Sequence, residues 1–285
     1  MAKIHITGTN GYIGSLLVNI LKSFNHQVEN ASYRLPNIPT KSIEADIIIH
    51  LAASGGGTVH KPRAGADDPE VMKNVNVKGM EALLSGVKNP ETKILFMSST
   101  SVYGKFADSP LVTEEAKLVP ISVYGEHKAE SELVLKNCDF DWLILRPCGI
   151  FGPSSGNRFG NSFLNIVTAD AINKGEITIL GGEQNIDSLY LLDLIHVILR
   201  ICNDEWHSRE TFNVAGEIIT VEEMINHLVR TIQNIGFRVD VRKKDFQGKP
   251  AVLADTNKLR QAFPKWNTTP LSCSMHALVS AYLNQ

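Results

Sequence analysis

The chain has 285 residues, 43% of them apolar, enough for one large α/β domain or two small ones sharing a core. Its 28 Lys plus Arg and 30 Asp plus Glu are scattered and leave a formal charge of −2, so there is no electrostatic case for nucleic acid or an anionic membrane as the main partner. Four cysteines without a Cys-x-x-Cys pair, an N-terminus that reads as strand rather than signal peptide, and no apolar run near the roughly 20 residues of a membrane span point to a cytoplasmic protein with reduced thiols and no metal.

In chain order, KIHIT predicts a short strand ended by Gly8. YIGSLLVNILKSF carries Ile13, Leu16, Leu17, Ile20, Leu21 and Phe24 at helical spacing. HQVENAS is a weak strand, and ADIIIHLAA is a continuous apolar run suited to a strand buried on both faces. NVNVKGMEALLSGV is helical, KILFMSSTSVYG is a strand running into hydroxyls, SVYGEHKAESELVLKN is helical, and DWLILRPCGIFGP is another buried strand. This alternation implies a parallel sheet with right-handed crossovers. Past Gly152-Pro153 comes a polar loop, then helices near 161–174 and 220–235 and short strands near 177–180, 187–191, 211–214 and 237–241. The run Arg242-Lys243-Lys244 reads as a solvated loop edge.

The first strand runs into TGTNGYIG, with Gly8, Gly11 and Gly14 spaced Gly-x-x-Gly-x-x-Gly. Glycine permits a tight turn and close approach of a diphosphate, and the helix that follows offers free N–H groups and a positive dipole end. Turns also collect glycine, but the strand before and the helix after favour dinucleotide binding. An acid at the end of the second strand would hold the adenosine ribose of NAD. Here that end reads Ala31-Ser32-Tyr33-Arg34, with Glu29 inside the strand. Arg34 suits the 2′-phosphate of NADPH, and NAD remains the alternative.

SVYG occurs twice, in SSTSVYGK and in ISVYGEHK. Tyr124 and Lys128 share one helix face, whereas Tyr103 sits in a turn with Ala107 at the matching place. A free phenol titrates near 10, and a neighbouring ammonium is expected to favour its ionised form. A drop of about three units would correspond to roughly 4 kcal/mol. Such a phenol exchanges a proton with a sugar hydroxyl while hydride moves at the same carbon. SSTS just upstream places hydroxyls at the carboxyl edge of the sheet, where ligands of open α/β sheets sit.

Taken together, TGTNGYIG, IIHLAA, Asn76 in NVNVKG, SSTSVYG, EEAKLVPISVYGEHKAE, RPCGIFGP, DSLYLLDL, TFNVAGEIITVEEM and ADTNKLRQAFPKWNTTP resemble an extended short-chain dehydrogenase/reductase of the NAD-dependent epimerase/dehydratase type over nearly the whole chain. The resemblance implies a Rossmann-type doubly wound parallel sheet over 1–153, joined by return segments from about 186–206, with a smaller α/β substrate lobe over 154–285. It implies Tyr124 as acid/base, Lys128 as its partner and a ribose ligand, and Ser99 as the catalytic hydroxyl. Gly8, Gly11, Tyr12, Ile13 and Gly14 would cradle the cofactor. Leu51, Ala52 and Ala53 would line it, Asn76 would bond near it and Pro147 would flank the nicotinamide. Ser98 reads as a strand-end structural hydroxyl, Ser101 as a substrate contact, and Tyr103 as packing behind the site. Relatives commonly dimerise by pairing two helices per subunit; the matching ones here are near 75–88 and 122–137.

The sequence departs from that family in four places. The segment from Arg34 to Glu44 is too short for the helix and strand that many relatives fit there. Thr100-Ser101 replace the Asp-Glu of the 4,6-dehydratases, which argues against elimination. The enzymes that make GDP-fucose carry a Cys where Ser101 stands and a His beyond the RP strand, and 154–163 holds no histidine. Ile186 replaces an Arg before Asp187, leaving Lys249, Arg158 or Arg260 to meet a diphosphate. Asn161 reads as a substrate contact or a helix N-cap, His127 as solvent- or interface-facing, His50 as a satisfied core histidine and Cys148 as packing. The expected activity is reduction of a nucleotide-linked 4-keto (deoxy) sugar, with NADPH favoured. An NAD-dependent 4-epimerase is the alternative, and a non-catalytic NADP-binding regulator a more distant one.

Overall fold

The computed structural model describes residues 1–31, 33–38, 43–55, 68–104, 111–155, 158–246 and 252–284. The buried runs of the first half become β1 (Lys3–Thr7), β2 (Gln27–Asn30), β3 (Ile47–His50), β4 (Lys93–Met97) and β5 (Asp141–Pro147). Between them run α1 (Tyr12–Ser23), α2 (Pro69–Gly86) and α3 (Val123–Lys136). The second half adds α4 (Phe163–Lys174), β6 (Glu176–Leu180), α5 (Leu191–Cys202), β7 (Glu210–Val214), α6 (Val221–Asn234), β8 (Asp240–Lys244), α7 (Asn257–Ala262) and α8 (Leu271–Leu283).

Six strands form one parallel sheet in the order β7-β5-β4-β3-β1-β2. Successive side chains point to opposite faces, so the all-apolar strands feed two cores. Ile47, Ile49, Leu95, Leu143 and Leu145 meet Leu17 and Leu21 of α1 and Leu194 and Ile198 of α5. Ile48, Ile94, Phe96 and Ile144 meet Met80 and Leu83 of α2 and Leu135 of α3. A separate core binds α4, β6, α6 and α8 through Leu164, Ile177, Ile225, Leu228 and Leu278. The segments that return to the first sheet run beyond 186–206. β7 pairs with β5, and Leu259, Phe263 and Trp266 join the same core.

Several elements differ from the sequence reading. The strand expected at 187–191 splits into Asn185–Asp187 and Leu189–Tyr190, after which α5 begins. An apolar run such as LLDLIHVILRIC cannot be assigned to strand or helix by periodicity alone. The strand expected at 237–241 lies at 240–244. Arg242-Lys243-Lys244 therefore belong to an exposed strand, where Arg242 pairs with Glu176 at 2.9 Å and Lys243 with Glu222 at 2.6 Å. α2 starts before NVNVKG because Asp68 caps it, accepting from the Glu70 and Val71 N–H groups, and Pro69 occupies the first turn. After β2 the chain turns back: Tyr33 stacks on His5 and its hydroxyl bonds His5 Nε2 at 2.9 Å. Leu35 and Ile38 lie against Gly79 and Gly86 of α2. Side chains of this short segment thus pack on β1 and α2. Among the described residues no helix is long and apolar enough to cross a membrane.

Candidate active site

The glycine loop joins β1 to α1 at the carboxyl edge of the sheet. Gly8 has φ +75°, and a β-carbon there would lie 2.8 Å from the Ala52 nitrogen. A β-carbon on Gly14 would press on the Gly8 carbonyl oxygen and come within 2.8 Å of Thr9 Cα. Loop, helix and the Leu51–Ala53 turn after β3 are therefore in backbone contact. Thr7 Oγ1 fixes that turn by accepting from the Ala52 N–H at 3.2 Å, and bonds His50 Nδ1 at 2.7 Å. Gly11 stands at the N-cap of α1, no side chain caps the helix, and its first turn holds no acid. A first turn that no described side chain caps, with the positive dipole end of the helix, fits the diphosphate of a nicotinamide dinucleotide.

Three other residues expected at the cofactor, Tyr12, Ile13 and Asn76, are engaged within the protein. Tyr12 donates its hydroxyl to the Gly152 carbonyl at 2.6 Å, and its ring lies against Gly160. Ile13 packs on the core. Asn76 commits both ends of its carboxamide to the Ser54 backbone, accepting from the N–H at 2.8 Å and donating to the carbonyl at 2.9 Å. It therefore stiffens the turn carrying Leu51, Ala52 and Ala53. Arg34 is exposed just past β2, and Ser32 lies outside the described residues. Pro147 is buried as the last residue of β5.

Ser99, Tyr124 and Lys128 come from two adjoining elements. β4 ends at Met97, and Ser99 caps a single helical turn, Thr100–Val102. Its Oγ accepts from the Ser101 N–H at 3.2 Å and from the Ser101 hydroxyl at 2.8 Å, which leaves the Ser99 proton to give. Ser122 caps α3 by accepting from the Gly125 N–H at 3.1 Å. A β-carbon on Gly125 would press on the Ser101 carbonyl oxygen, so this glycine lets the first turn of α3 reach the Ser99 turn. Sequence reasoning had not singled it out. Lys128 is buried, with Nζ donating to the Met97 carbonyl at 2.6 Å, 4.7 Å from the Phe96 ring centre and 5.7 Å from that of Tyr124.

The expectation that Lys128 depresses the Tyr124 phenol is not met. Burial dominates both groups, pushing Tyr124 up to about 12 and pulling Lys128 down to about 7, with Glu132 opposing the latter. The Lys128 Nζ is engaged by the Met97 carbonyl.

Behind these residues lies a buried polar network that was not read from the sequence. Arg146 donates through Nε and Nη2 to the two oxygens of Glu132 at 2.9 and 2.6 Å, and through Nη1 to the Tyr103 hydroxyl at 2.8 Å. Tyr103 in turn donates to Asn213 Oδ1 at 2.6 Å. Ser98 donates to Glu132 at 2.6 Å. The only sequence hint is the charge of Arg146 inside a buried strand, which requires a partner. Tyr103 does pack behind the Ser99 turn, fully buried.

The remaining calls divide. His127 is not solvent-facing: it is buried on the side of α3 that meets α2, where the next residue on that face, Ser131, bonds the Asn76 carbonyl. His50 is buried with Nδ1 bonded, but its Nε2 has no partner among the described residues. Burial raises the Cys148 thiol well above its usual value, with Asp187 beside it, as suits packing. Asn161 is exposed and caps nothing; Ser162 takes the N-cap position of α4. Arg260 lies 5.3 Å from the Trp266 ring centre and bonds Thr256, while Lys249 and the Arg158 side chain fall outside the described residues.

Comparison with known proteins shows the fold and the family. Probable GDP-L-fucose synthase 1 of Oryza sativa subsp. japonica is 24% identical over 288 residues, covering 91% of this chain and 85% of that protein. The solved structure of RMD from Pseudomonas aeruginosa complexed with NADPH aligns with a TM-score of 0.80 at 19% identity, over 100% of this chain and 98% of the other. UDP-glucuronic acid 4-epimerase from Bacillus cereus, in complex with UDP-glucuronic acid and NAD, gives 0.81 at 22% identity over 99% of each chain. These structural likenesses establish the fold. A family model, described as NAD dependent epimerase/dehydratase family, matches residues 4–215, from β1 through the end of β7, and the chain belongs to that family.

Proposed function

We propose that the protein is an NADPH-dependent reductase of a nucleotide-linked 4-keto sugar. The observation that carries this reading is the contact of the first turn of α3, which bears Tyr124, with the Ser99 turn, which brings close together two hydroxyls that keep their protons. A retained proton is what reduction of a ketone needs, because the oxygen gains one as the carbon gains hydride. When bound, the cofactor supplies that hydride. Tyr124 gives its proton to the carbon-4 oxygen, and Ser99 donates a hydrogen bond to the same oxygen. Lys128, held by the Met97 carbonyl with Nζ 5.7 Å from the phenol ring centre, would bind the nicotinamide ribose beside Tyr124.

Support for NADPH is the exposed Arg34 past β2, suited to a 2′-phosphate. Support for a reductase over a dehydratase is Ser101, a hydroxyl bonded to Ser99 where elimination would want an acid. Val71, Val123 and Leu133, exposed on α2 and α3, support pairing of two copies through these helices.

The test is oxidation of NADPH or NADH by the purified protein with a panel of GDP-, CDP-, dTDP- and UDP-linked 4-keto sugars. Stoichiometric consumption of NADPH with one of them, abolished in Tyr124→Phe, is expected. Interconversion of saturated sugar epimers with retained NAD, and no net consumption, would replace this reading by a 4-epimerase. Full activity in Tyr124→Phe would remove both.

A further inference from the structure

We propose that Glu132 is a positioning residue of the active site: its carboxylate, gripped by Arg146, takes the Ser98 hydroxyl and so fixes the strand end carrying Ser99 against the helix carrying Tyr124 and Lys128. This deepens the function proposed above and rests on its claim that Ser99 and Tyr124 serve one substrate oxygen.

Tyr124, Lys128 and Glu132 follow each other at four-residue steps and form one stripe of α3 facing the sheet. Two consecutive residues at the end of β4 are held from this stripe. Lys128 donates to the Met97 carbonyl at 2.6 Å, and Ser98 donates to Glu132 at 2.6 Å. Ser99 is the next residue. Arg146 of β5 fixes Glu132 by two bonds, and its third links through Tyr103 to Asn213 of β7. The clamp is thus anchored in three strands of the sheet. Glu132 and Arg146 are each 1% exposed. A fully buried ion pair adds little net stability over an apolar pair of similar size, so what this pair contributes is geometry. Glu132 also faces Lys128 as an anion. Among the described residues, the other groups around that side chain are neutral: His50 of β3, the Phe96 ring and Met97 carbonyl of β4, and Tyr124.

The experiment compares Ser98→Ala, the double variant Glu132→Leu with Arg146→Met, and Tyr124→Phe. Replacing the pair together leaves no stranded charge, and Ser98→Ala removes only the link to the strand. Thermal unfolding, hydrogen exchange by mass spectrometry and NADPH binding by fluorescence need no substrate; turnover uses the keto sugar found in the panel. Exchange over residues 97–104 and 121–127 is expected to rise about tenfold in Ser98→Ala, which loses one charge-assisted bond, and at least as much in the double variant, which also loses the bonds of Arg146 to Glu132 and Tyr103. Binding of NADPH should stay within about threefold, while kcat falls at least about tenfold through misplacement alone. Unchanged exchange and kcat in both variants would overturn the proposal, as would a loss of kcat that only tracks lost folded protein. Activity retained in Tyr124→Phe would instead refute the functional reading, and the exchange data would still decide whether the clamp exists.

Discussion

Gly14→Ala tests the cofactor cradle most directly. A β-carbon at this position would press on the Gly8 carbonyl oxygen and lie 2.8 Å from Thr9 Cα and 3.0 Å from the Gly8 carbonyl carbon. All three atoms are backbone, so no side chain can swing aside. Restoring ordinary contact requires the start of α1 to retreat from the loop by about 0.5–1 Å, an overpacking that costs on the order of 1–3 kcal/mol. For a chain of this size that lowers Tm by about 2–10 °C. The same retreat moves the first-turn N–H groups off the diphosphate. Loss of one charge-assisted hydrogen bond costs about 1.5–3 kcal/mol, or tenfold to a hundredfold in Kd. The assay is NADPH fluorescence titration alongside thermal unfolding. Gly149→Ala is the control, because a β-carbon there meets nothing within 4 Å, so its Tm should not move. A Gly14→Ala protein that binds NADPH and melts like the parent would refute the cradle.

Further expectations can be checked separately. Arg34→Ala should weaken NADPH binding about tenfold and leave NADH unchanged, because only the former carries a phosphate for the guanidinium; equal effects on both would remove the case for NADPH. Tyr103→Phe strips a hydroxyl that serves both Arg146 and Asn213, and denaturant unfolding should show a loss of about 1–3 kcal/mol. Tyr124→Phe should stop turnover with little change in stability, and the reverse pattern would mean the two tyrosines have been exchanged. His50, buried against Phe96 and near Lys128, is lowered from 6.5 to about 3. Its folded value lies below its unfolded one, so the unfolded chain takes the proton first. The stability contribution is fully present above pH 6.5 and is lost as the pH falls toward 3, with a limit on the order of 4–5 kcal/mol. Urea midpoints between pH 7 and 4 should fall less steeply in His50→Leu, and an unaltered slope would refute the assignment.

What the sequence determined by itself is local. Gly8, Gly11 and Gly14 lie between a strand and a helix whose patterns are each contained in a dozen residues or fewer, so the strand–turn–helix unit could be read directly. Tyr124 and Lys128 share a face because one helical turn separates them. The apolar strands told of a sheet buried on both sides. What only the tertiary structure decided depends on which neighbour covers each face. Periodicity shows that His127 lies off the Tyr124 stripe, but only packing against α2 buries it. The partners of Ser98 and Tyr103 lie 34 and 110 residues away, so no spacing rule reaches them. Asn76 has the right place for a cofactor ligand, yet the turn after β3 takes both ends of its amide. The proton affinities of Tyr124 and Lys128 reversed the expected order of causes. A one-turn spacing reports a neighbouring charge, whereas burial, which dominates here, is a property of everything packed around the pair.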